Sequence, residues 1–535
     1  MNNIRGFAPW VMALWVLFFP YLLIVLSVPS EMIDETVFNS RLGWLILISS
    51  ISYLVFFNKA IYLLILIILS IFGSVDLLYA YTFESIMTVD ALQSAIFTSK
   101  DETVGFLQTY MTWQSLVLLF VYFLGVFFLY YFLFSKGFIL PFKRVHVALS
   151  FFMMMALVQQ SIAQENLAKV FPGTLGVSLW FYDGYSDIEE TLSKRKLFLE
   201  QQQYEVESTD KGLTLVLVIG ESASKNHMSL YGYKRKTTPL LEDMNDDLII
   251  FQDVISSFSQ THTSLRVALT EASTQNNQDA RNALSIIDVA NAAGFKTFWF
   301  SNQESFSPLL YTLASFSHES RFINTADRKR LDENILPLLE KSVKDNAHKK
   351  LIVLHLIGSH FPYEPRYPES QAFFDSDDSI GVQAYAENLS SHELEWINQY
   401  DNSIRYKDYL LGEMIEILKL SDQSTVFIYT SDHGEEVFDS GPFKGHRPDN
   451  VTSNMVEIPF IMWANPLFKN EYSGLLAEAK NQKNAPVVLD DLYHTILDLS
   501  GIKSPRVNIE RSFIRKEYVP VKRMVYGRDY DKELK

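Results

Sequence analysis

Residues 213–222 read LTLVLVIGES, and the prediction of the fold for the second part of the chain starts from this segment. Seven apolar or β-branched residues run without a break from Leu213 to Ile219, and Glu221 comes soon after them. Similar short runs recur downstream, separated by stretches of helical character; they are Leu248–Val254, Thr297–Ser301, Leu351–Leu356, Thr425–Tyr429 and Ile458–Trp463. Continuous apolar strands that alternate with helices are typical of sheets covered on both faces. The pattern therefore predicts an α/β domain with a largely parallel sheet.

Chemically active side chains follow several of these strands at the point where each strand ends. Glu221 follows the first strand, and Asp432 and His433 follow a later strand within YTSDHGEE at 429–436. His360 comes soon after the run that ends at Leu356. Ligands bind at the carboxyl ends of parallel strands, so we expect these side chains to converge there. One acid or histidine at a strand end is often only a helix cap, but this mixed set of carboxylates and imidazoles suits a divalent metal such as zinc.

Thr261 begins a helical stretch, THTSLRVALT at 261–270, just after the second predicted strand. A threonine hydroxyl is a poor nucleophile by itself. Metal coordination and the positive end of a helix would lower its pKa and steady an incoming phosphate. The other histidines of this part lack such a context and are interpreted as ordinary residues: His227, His262, His318, His348, His392 and His494.

The first 164 residues are predicted to form a helical membrane anchor with five transmembrane helices. Uncharged apolar stretches, read as crossings of ~30 Å of hydrocarbon, occur at 6–30, 42–58, 60–75, 112–135 and 145–164. The segments between them alternate between basic and mainly acidic, and the positive-inside rule then places the N-terminus in the cytoplasm. An odd number of spans puts the remainder outside, with residues 165–211 as a surface helix and linker and 212–535 as the catalytic domain.

Charge and cysteine content exclude several classes of function. The net charge of −16 argues against a nucleic-acid partner, because binding to phosphates favours a basic surface. The chain has no cysteine, which excludes disulfides, thiolate metal sites and a cysteine nucleophile.

Five motifs resemble, in their order along the chain, those of the phosphoethanolamine transferases of Gram-negative envelopes, which belong to the sulfatase and alkaline phosphatase superfamily. The motifs are GESASKNHMSLYGYKRKTTP at 220–239, LHLIGSH at 354–360, YDNSI at 400–404, SDHGEE at 431–436 and NMVEIPF at 454–460. The resemblance covers nearly the whole chain, including the anchor. The absence of cysteine makes the chain more similar to the disulfide-poor branch that modifies core sugars or other glycans.

The resemblance implies roles for individual residues. The metal ligands are Glu221, Thr261, Asp432 and His433, and the ion is Zn²⁺ in one tight site, with a second, weaker site left open. Thr261 is the nucleophile, with Thr263 as its nearby rival. Further catalytic roles fall to His360 and His446, and substrate binding to Glu102, Asn302 and His355. The segment IFTSKDE at 96–102 matches the family's donor-binding loop only loosely, with Ser99 where asparagine is expected.

The resemblance also implies a reaction. The enzyme would transfer phosphoethanolamine from phosphatidylethanolamine, through a phosphothreonine intermediate, to an envelope acceptor such as lipid A, the lipopolysaccharide core or another glycan. It would lie in the bacterial inner membrane among membrane lipids, with its catalytic domain in the periplasm. Two alternatives remain at this point: a phosphoglycerol transferase that uses phosphatidylglycerol, and a catalytically inactive membrane scaffold.

Overall fold

The computed structural model describes residues 59–83, 111–134 and most of 188–535, together with isolated positions between 15 and 178. The gaps in the last part are 203–204, 209, 277, 304–307, 324–330, 376 and 449. The chain divides into two compact units, residues 1–186 and 187–535, which are described separately.

Two long helices of the first unit coincide with predicted spans. Helix α1 covers Lys59–Phe83 and helix α2 covers Trp113–Phe134, where the third and fourth spans were predicted. The other three predicted spans lie almost entirely outside the described residues, as does Glu102. Within the described part of the chain, no helix meets the combined requirement of length and apolarity for crossing a bilayer. The five-span anchor therefore stays a prediction.

The second unit is an α/β domain built on a seven-stranded sheet. The strands are β2 (Leu213–Gly220), β3 (Leu248–Phe251), β5 (Lys296–Ser301), β6 (Glu319–Phe322), β7 (Lys349–His355), β8 (Ser424–Ser431) and β11 (Phe460–Ala464). Their order across the sheet is β3-β11-β8-β2-β7-β5-β6. The helices are α3 (Ile188–Glu200), α4 (Pro239–Asp243), α5 (Thr261–Ala268), α6 (Ile286–Ala292), α7 (Pro308–Ser315), α8 (Leu336–Val343), α9 (Ser391–Lys419), α10 (Pro466–Glu471), α11 (Ser473–Gln482), α12 (Leu492–Leu499) and α13 (Tyr530–Glu533).

Short strand pairs flank the main sheet. They are β1 (Glu207–Ser208) with β13 (Ile502–Lys503), β4 (Val254–Ile255) with β12 (Val487–Val488), β9 (Glu436–Val437) with β10 (Lys444–Gly445), and β14 (Met524–Val525) with β15 (Arg528–Asp529).

The predicted α/β class is confirmed, and the sheet is mixed. Strands β8, β2, β7, β5 and β6 pair in parallel, whereas β11 runs antiparallel to both β8 and β3. The predicted strand Leu248–Val254 is divided into β3 and β4. Strand β6 was not predicted, because its sequence ESRF carries no apolar run and its side chains are partly exposed.

Strand β2 shows why both faces of the sheet are covered. Leu213, Leu215, Leu217 and Ile219 point into one apolar core, which also receives side chains of α5, α6, α7 and α12. Val216 and Val218 point into the opposite core, which receives side chains of α8 and α9. Since side chains alternate across a strand, an unbroken apolar run needs an apolar layer on each side.

Candidate metal centre

Two parallel strands bring the carboxylates and the imidazole together. Gly220 of β2 pairs with Ser431 of β8, so Glu221 and Asp432 leave the sheet at the same edge. The His433 Nε2 atom lies 3.2 Å from Glu221 Oε1 and 3.5 Å from Asp432 Oδ2. One ligand atom from each of these three residues lies within 4.8 Å of the others, and all three side chains are buried.

Thr261 completes this group. It is the first residue of α5, and its Oγ1 atom lies 3.1 Å and 3.0 Å from the two carboxylate oxygens of Glu221 and 3.5 Å from His433 Nε2. The rival, Thr263, is buried, and its hydroxyl donates to the backbone oxygen of Gln260 at 3.1 Å. The geometry therefore favours Thr261 as the reactive hydroxyl of the two.

Local hydrogen bonds leave the metal-facing atoms available. Asp432 Oδ1 accepts the backbone N–H groups of Ser222 at 3.2 Å and His433 at 2.7 Å, whereas the buried Oδ2 atom receives no hydrogen bond from any residue that the structure describes. His433 Nδ1 lies 2.7 Å from the oxygen of Gly434. Because Nδ1–H donates to this oxygen, loss of the proton on Nε2 would give the tautomer whose Nε2 lone pair a metal ligand requires.

The two buried carboxylates of the site favour the binding of a cation. Although burial opposes ionisation, the hydrogen bond and the charge of His433 hold the pKa of Glu221 well below its usual range. Burial and then repulsion by Glu221 raise the pKa of Asp432 to about 7. Burial would lower the pKa of His433, but Asp432 and Glu221 raise it to about 10. A proton on His433 thus neutralises the two carboxylates in part, and a divalent metal would do so more fully. The residues present fit zinc.

A close approach fixes the position of Glu221. Gly358 has a φ of +55°, and a Cβ atom at this position would lie 2.7 Å from both the nitrogen and the oxygen of Glu221. The Glu221 oxygen accepts the N–H of Ser359 at 3.0 Å, and Asp332 accepts the N–H of Gly358 at 2.9 Å. Only glycine combines this conformation with this proximity.

Two further predicted residues lie beside the group. The ring of His446 lies 4.3 Å from that of His433 and 6.5 Å from that of His360, measured between centroids. His446 Nδ1 is 2.7 Å from Glu435 Oε2, and the other oxygen of Glu435 accepts the hydroxyl of Tyr363 at 2.7 Å. His433, Glu435 and His446 form a second group with ligand atoms within 4.8 Å of one another.

Two of the predicted substrate-binding residues, Asn302 and His355, lie within the described part of the chain, and both are buried. Asn302 is buried, and its amide donates to Asp332 at 2.8 Å, so it supports the loop that approaches Glu221. His355 is buried at the end of β7, where burial lowers its pKa to about 4. Its Nε2 atom has no hydrogen-bond partner in the described part of the chain.

Sequence reasoning missed three residues of the site. Gln303 donates to Glu221 Oε2 at 2.8 Å and to the oxygen of Leu356 at 3.0 Å. Lys407 is buried within α9, with its Nζ atom 3.0 Å from Ser359 Oγ. Glu435 lies inside the motif SDHGEE and could have been chosen from its neighbours. Gln303 lies two positions after the end of β5, whereas nothing in the sequence around Lys407 marks it.

The fold and the site together define an α/β metal-binding domain of the sulfatase and alkaline phosphatase type. The chain belongs to the sulfatase family, whose profile matches residues 214–502. The predicted resemblance to phosphoethanolamine transferases is confirmed by relatives that bear this name. The phosphoethanolamine transferase EptC of Escherichia coli O18:K1:H7 (strain RS218 / NMEC) is 33% identical over 370 residues, which cover 66% of this chain and 63% of the relative. The match thus covers less than two thirds of that relative.

Two solved structures are also similar. The C-terminal periplasmic domain of EptC from Escherichia coli, in complex with Zn, is 31% identical with a TM-score of 0.57, over 62% of this chain and 94% of that one. The integral membrane protein lipooligosaccharide phosphoethanolamine transferase A from Neisseria meningitidis has a TM-score of 0.64 over 95% of this chain and 97% of that one. At 19% identity, the second likeness shows the fold alone.

Proposed function

We propose that the protein is a zinc-dependent phosphoethanolamine transferase, which takes the group from phosphatidylethanolamine and passes it to an acceptor in the bacterial envelope. One observation carries the proposal: the hydroxyl of Thr261 lies within 3.1 Å of both oxygens of Glu221, beside Asp432 and His433. The names of the relatives supply the transferred group, and the zinc complex of a similar domain supports the choice of metal. A second zinc site is left open.

Glu221, Thr261, Asp432 and His433 would hold the metal. When bound, zinc supplies Lewis-acid stabilisation of the deprotonated threonine oxygen and of negative charge on the phosphoryl group. The Thr261 hydroxyl gives up its proton to solvent, Oγ1 attacks the donor phosphorus, and the bond from phosphorus to the diacylglycerol oxygen breaks. The leaving oxygen takes a proton, for which His360 and His446 are the candidate donors, and phosphoethanolamine remains bound to Thr261.

The second step reverses the first with a different alcohol. An acceptor hydroxyl, such as one on lipid A, on the lipopolysaccharide core or on another glycan, loses its proton and attacks the same phosphorus. The bond to Thr261 breaks, and the threonine recovers its proton. Before the first attack, the Thr261 hydroxyl lies within hydrogen-bond distance of both oxygens of Glu221, and this contact keeps Oγ1 beside the other three candidate ligands.

The first part of the chain is proposed to anchor this domain. We place five spans in the inner membrane, with the N-terminus in the cytoplasm and the catalytic domain in the periplasm. Support comes from the basic and acidic segments between the apolar stretches and from the fold likeness to an integral membrane protein. An anchor keeps the domain beside a lipid donor, which raises the local donor concentration.

The test is intact-mass measurement of the zinc-loaded full-length protein after incubation with phosphatidylethanolamine. We expect the wild type and Thr263→Ala to gain one phosphoethanolamine group, and Thr261→Ala to gain none. A gain in Thr261→Ala that is missing in Thr263→Ala would move the nucleophile to the rival residue. An adduct that forms only with phosphatidylglycerol would instead make the protein a phosphoglycerol transferase.

A further inference from the structure

Lys444 lies against two aromatic rings, two residues before His446 in the chain. It begins strand β10, and only 5% of the residue is exposed. Its Nζ atom is 3.9 Å from the ring centroid of Phe361 and 3.8 Å from that of Trp396. These two rings lie 5.2 Å apart, and Tyr363 packs edge-on against Trp396 at 6.1 Å. Cation–π contacts of this kind strengthen when the cation is desolvated.

The aromatic contacts of Lys444 join two segments of the chain, each of which carries a histidine of the site. Phe361 directly follows His360, and Lys444 precedes His446 by two residues. The contact between Lys444 and Phe361 therefore joins the two segments that carry these histidines. Trp396 belongs to the long helix α9, which gives both segments a fixed support.

The hairpin that leads to His446 is short. Strands β9 and β10 pair at two positions, Lys444 with Val437 and Gly445 with Glu436. A two-stranded ribbon of this length is not stable by its own hydrogen bonds. Side-chain contacts must therefore supply much of its order.

The charge of Lys444 interacts with its surroundings as well. Burial lowers its pKa to about 7, and the Glu435 carboxylate opposes this fall. The faces of the two rings stabilise the charged form as well. Glu435 in turn contacts His446 and Tyr363, so the carboxylate that acts electrostatically on Lys444 also holds the imidazole.

We propose that Lys444, Phe361 and Trp396 form a lysine clamp that sets the separation of His360 and His446. Lys444 is thus a positioning residue for the proposed transfer: it acts through the two histidines and does not itself contact the phosphoryl group. The inference rests on the proposed function, because it gives the histidines their place in that reaction. Its geometric part, the order of the hairpin, can be tested without catalysis.

The experiment compares Lys444→Met, Lys444→Arg, Trp396→Leu, the double variant of Lys444→Met with Trp396→Leu, and Lys211→Met in the zinc-loaded full-length protein. Methionine keeps most of the length of the side chain and removes its charge, whereas arginine keeps the cation. Lys211 is the control, because its Nζ also lies near an aromatic ring, 5.5 Å from that of Tyr472. It precedes the first residue of β2, at the end of this strand opposite to Glu221. Turnover, KM for phosphatidylethanolamine, zinc content and hydrogen exchange at residues 436–446 are measured for each.

For Lys444→Met we expect turnover to fall about tenfold, since two desolvated cation–π contacts are lost. KM should stay within about twofold, because donor binding is not the step that the histidines serve. Zinc content should not change, and hydrogen exchange of the hairpin should be faster. Lys444→Arg should restore turnover and exchange, and Lys211→Met should leave both at wild-type values. Adding Trp396→Leu to Lys444→Met should cause no further loss, because the clamp acts as a unit.

Two results overturn the proposal. Hydrogen exchange of the hairpin that is unchanged in Lys444→Met would show that the contacts do not order it, whatever the turnover. Losses from Lys444→Met and Trp396→Leu that simply add would show that the two residues act separately. If the wild type forms no adduct on Thr261 with any lipid, the proposed function fails, and hydrogen exchange still decides whether the clamp exists.

Discussion

Replacing Gly358 by alanine tests how closely the loop after β7 must approach Glu221. The new Cβ would lie 2.7 Å from two backbone atoms of Glu221 and 3.1 Å from its Cβ, at a residue whose φ is +55°. The left-handed conformation costs an L-residue about 1–2 kcal/mol. Backbone atoms at 2.7 Å must also retreat to reach ordinary contact, and overpacking of this kind typically costs about 1–3 kcal/mol. We therefore expect a loss of about 3 kcal/mol in the free energy of unfolding.

Alanine substitutions at two other glycines separate the cost of the left-handed conformation from the cost of overpacking. Gly232 has a φ of +101° and nothing within 4 Å of an added Cβ, so Gly232→Ala carries the conformational cost alone. Gly441→Ala carries neither cost, because its φ is not positive and its surroundings are also open. For a cooperative unit of about 350 residues, 3 kcal/mol corresponds to a fall in Tm of about 4 °C. The decrease in Tm should follow the order Gly358, Gly232, Gly441.

Two quantities are measured for each variant: the Tm from thermal unfolding, and the zinc affinity from competition with a chelator. Pushing Glu221 away from His433 should weaken zinc binding by about 10–100-fold, as the loss of supporting contacts at a metal site does. Gly232→Ala should bind zinc like the wild type. If Gly358→Ala has wild-type zinc affinity and loses no more stability than Gly232→Ala, then the approach of Gly358 does not position Glu221.

Three further predictions concern charge. The His227 imidazolium lies between Asp401 and Asp439. Burial lowers the pKa of His227, but the two carboxylates raise it to about 10. This stabilisation of the folded protein is complete below about pH 6.5 and is lost as the pH rises towards 10, so the stability difference between the wild type and His227→Gln in urea unfolding should shrink between pH 7 and 10. Removing zinc from the loaded protein should lower its stability, by about 4 kcal/mol where free zinc had stood at a thousand times its Kd; a Tm unchanged by a chelator would contradict this. Lys407→Met should lower the Tm of the metal-free protein more than that of the zinc-loaded protein, because bound zinc supplies positive charge in place of the lysine; equal losses in differential scanning calorimetry would contradict an electrostatic role.

The strands and the metal centre could be predicted because both depend on short-range patterns. An unbroken apolar run marks a strand with two covered faces, and parallel strands place the residues after their carboxyl ends at one edge of the sheet. Glu221 and Asp432 each come directly after such a strand, so their proximity could be predicted without knowing the conformation of any loop. The split of β3 from β4 could not be predicted in the same way. Asp253 interrupts that run, and its carboxylate pairs with Arg523 at 2.6 Å and Lys535 at 2.8 Å, both far along the chain.

Residues that act from helices and loops gave no such signal. Lys407 lies mid-way along α9, and its burial depends on how this helix packs on the sheet. His227 was interpreted as an ordinary residue because no strand precedes it. In the structure it lies in a buried charged cluster, in which Asp401 also pairs with Arg235 at 2.7 Å. These partners are separated by more than 160 residues, and only the tertiary fold brings them together.

The charge balance of the site links metal binding to stability. Three buried carboxylates, Glu221, Asp332 and Asp432, act on Lys407, whose pKa burial lowers to about 8 while they oppose the fall. Without metal, the positive charges that act on them include Lys407 and a protonated His433. Since His433 must release its proton before Nε2 can bind zinc, binding exchanges one positive charge for two. Three carboxylates are then matched by zinc and Lys407 together. Before the metal binds, the three carboxylates outnumber these two cations. The surrounding fold, through Gly358, Ser359 and Gln303, therefore helps to hold the ligands in place beside the attraction between Glu221 and His433.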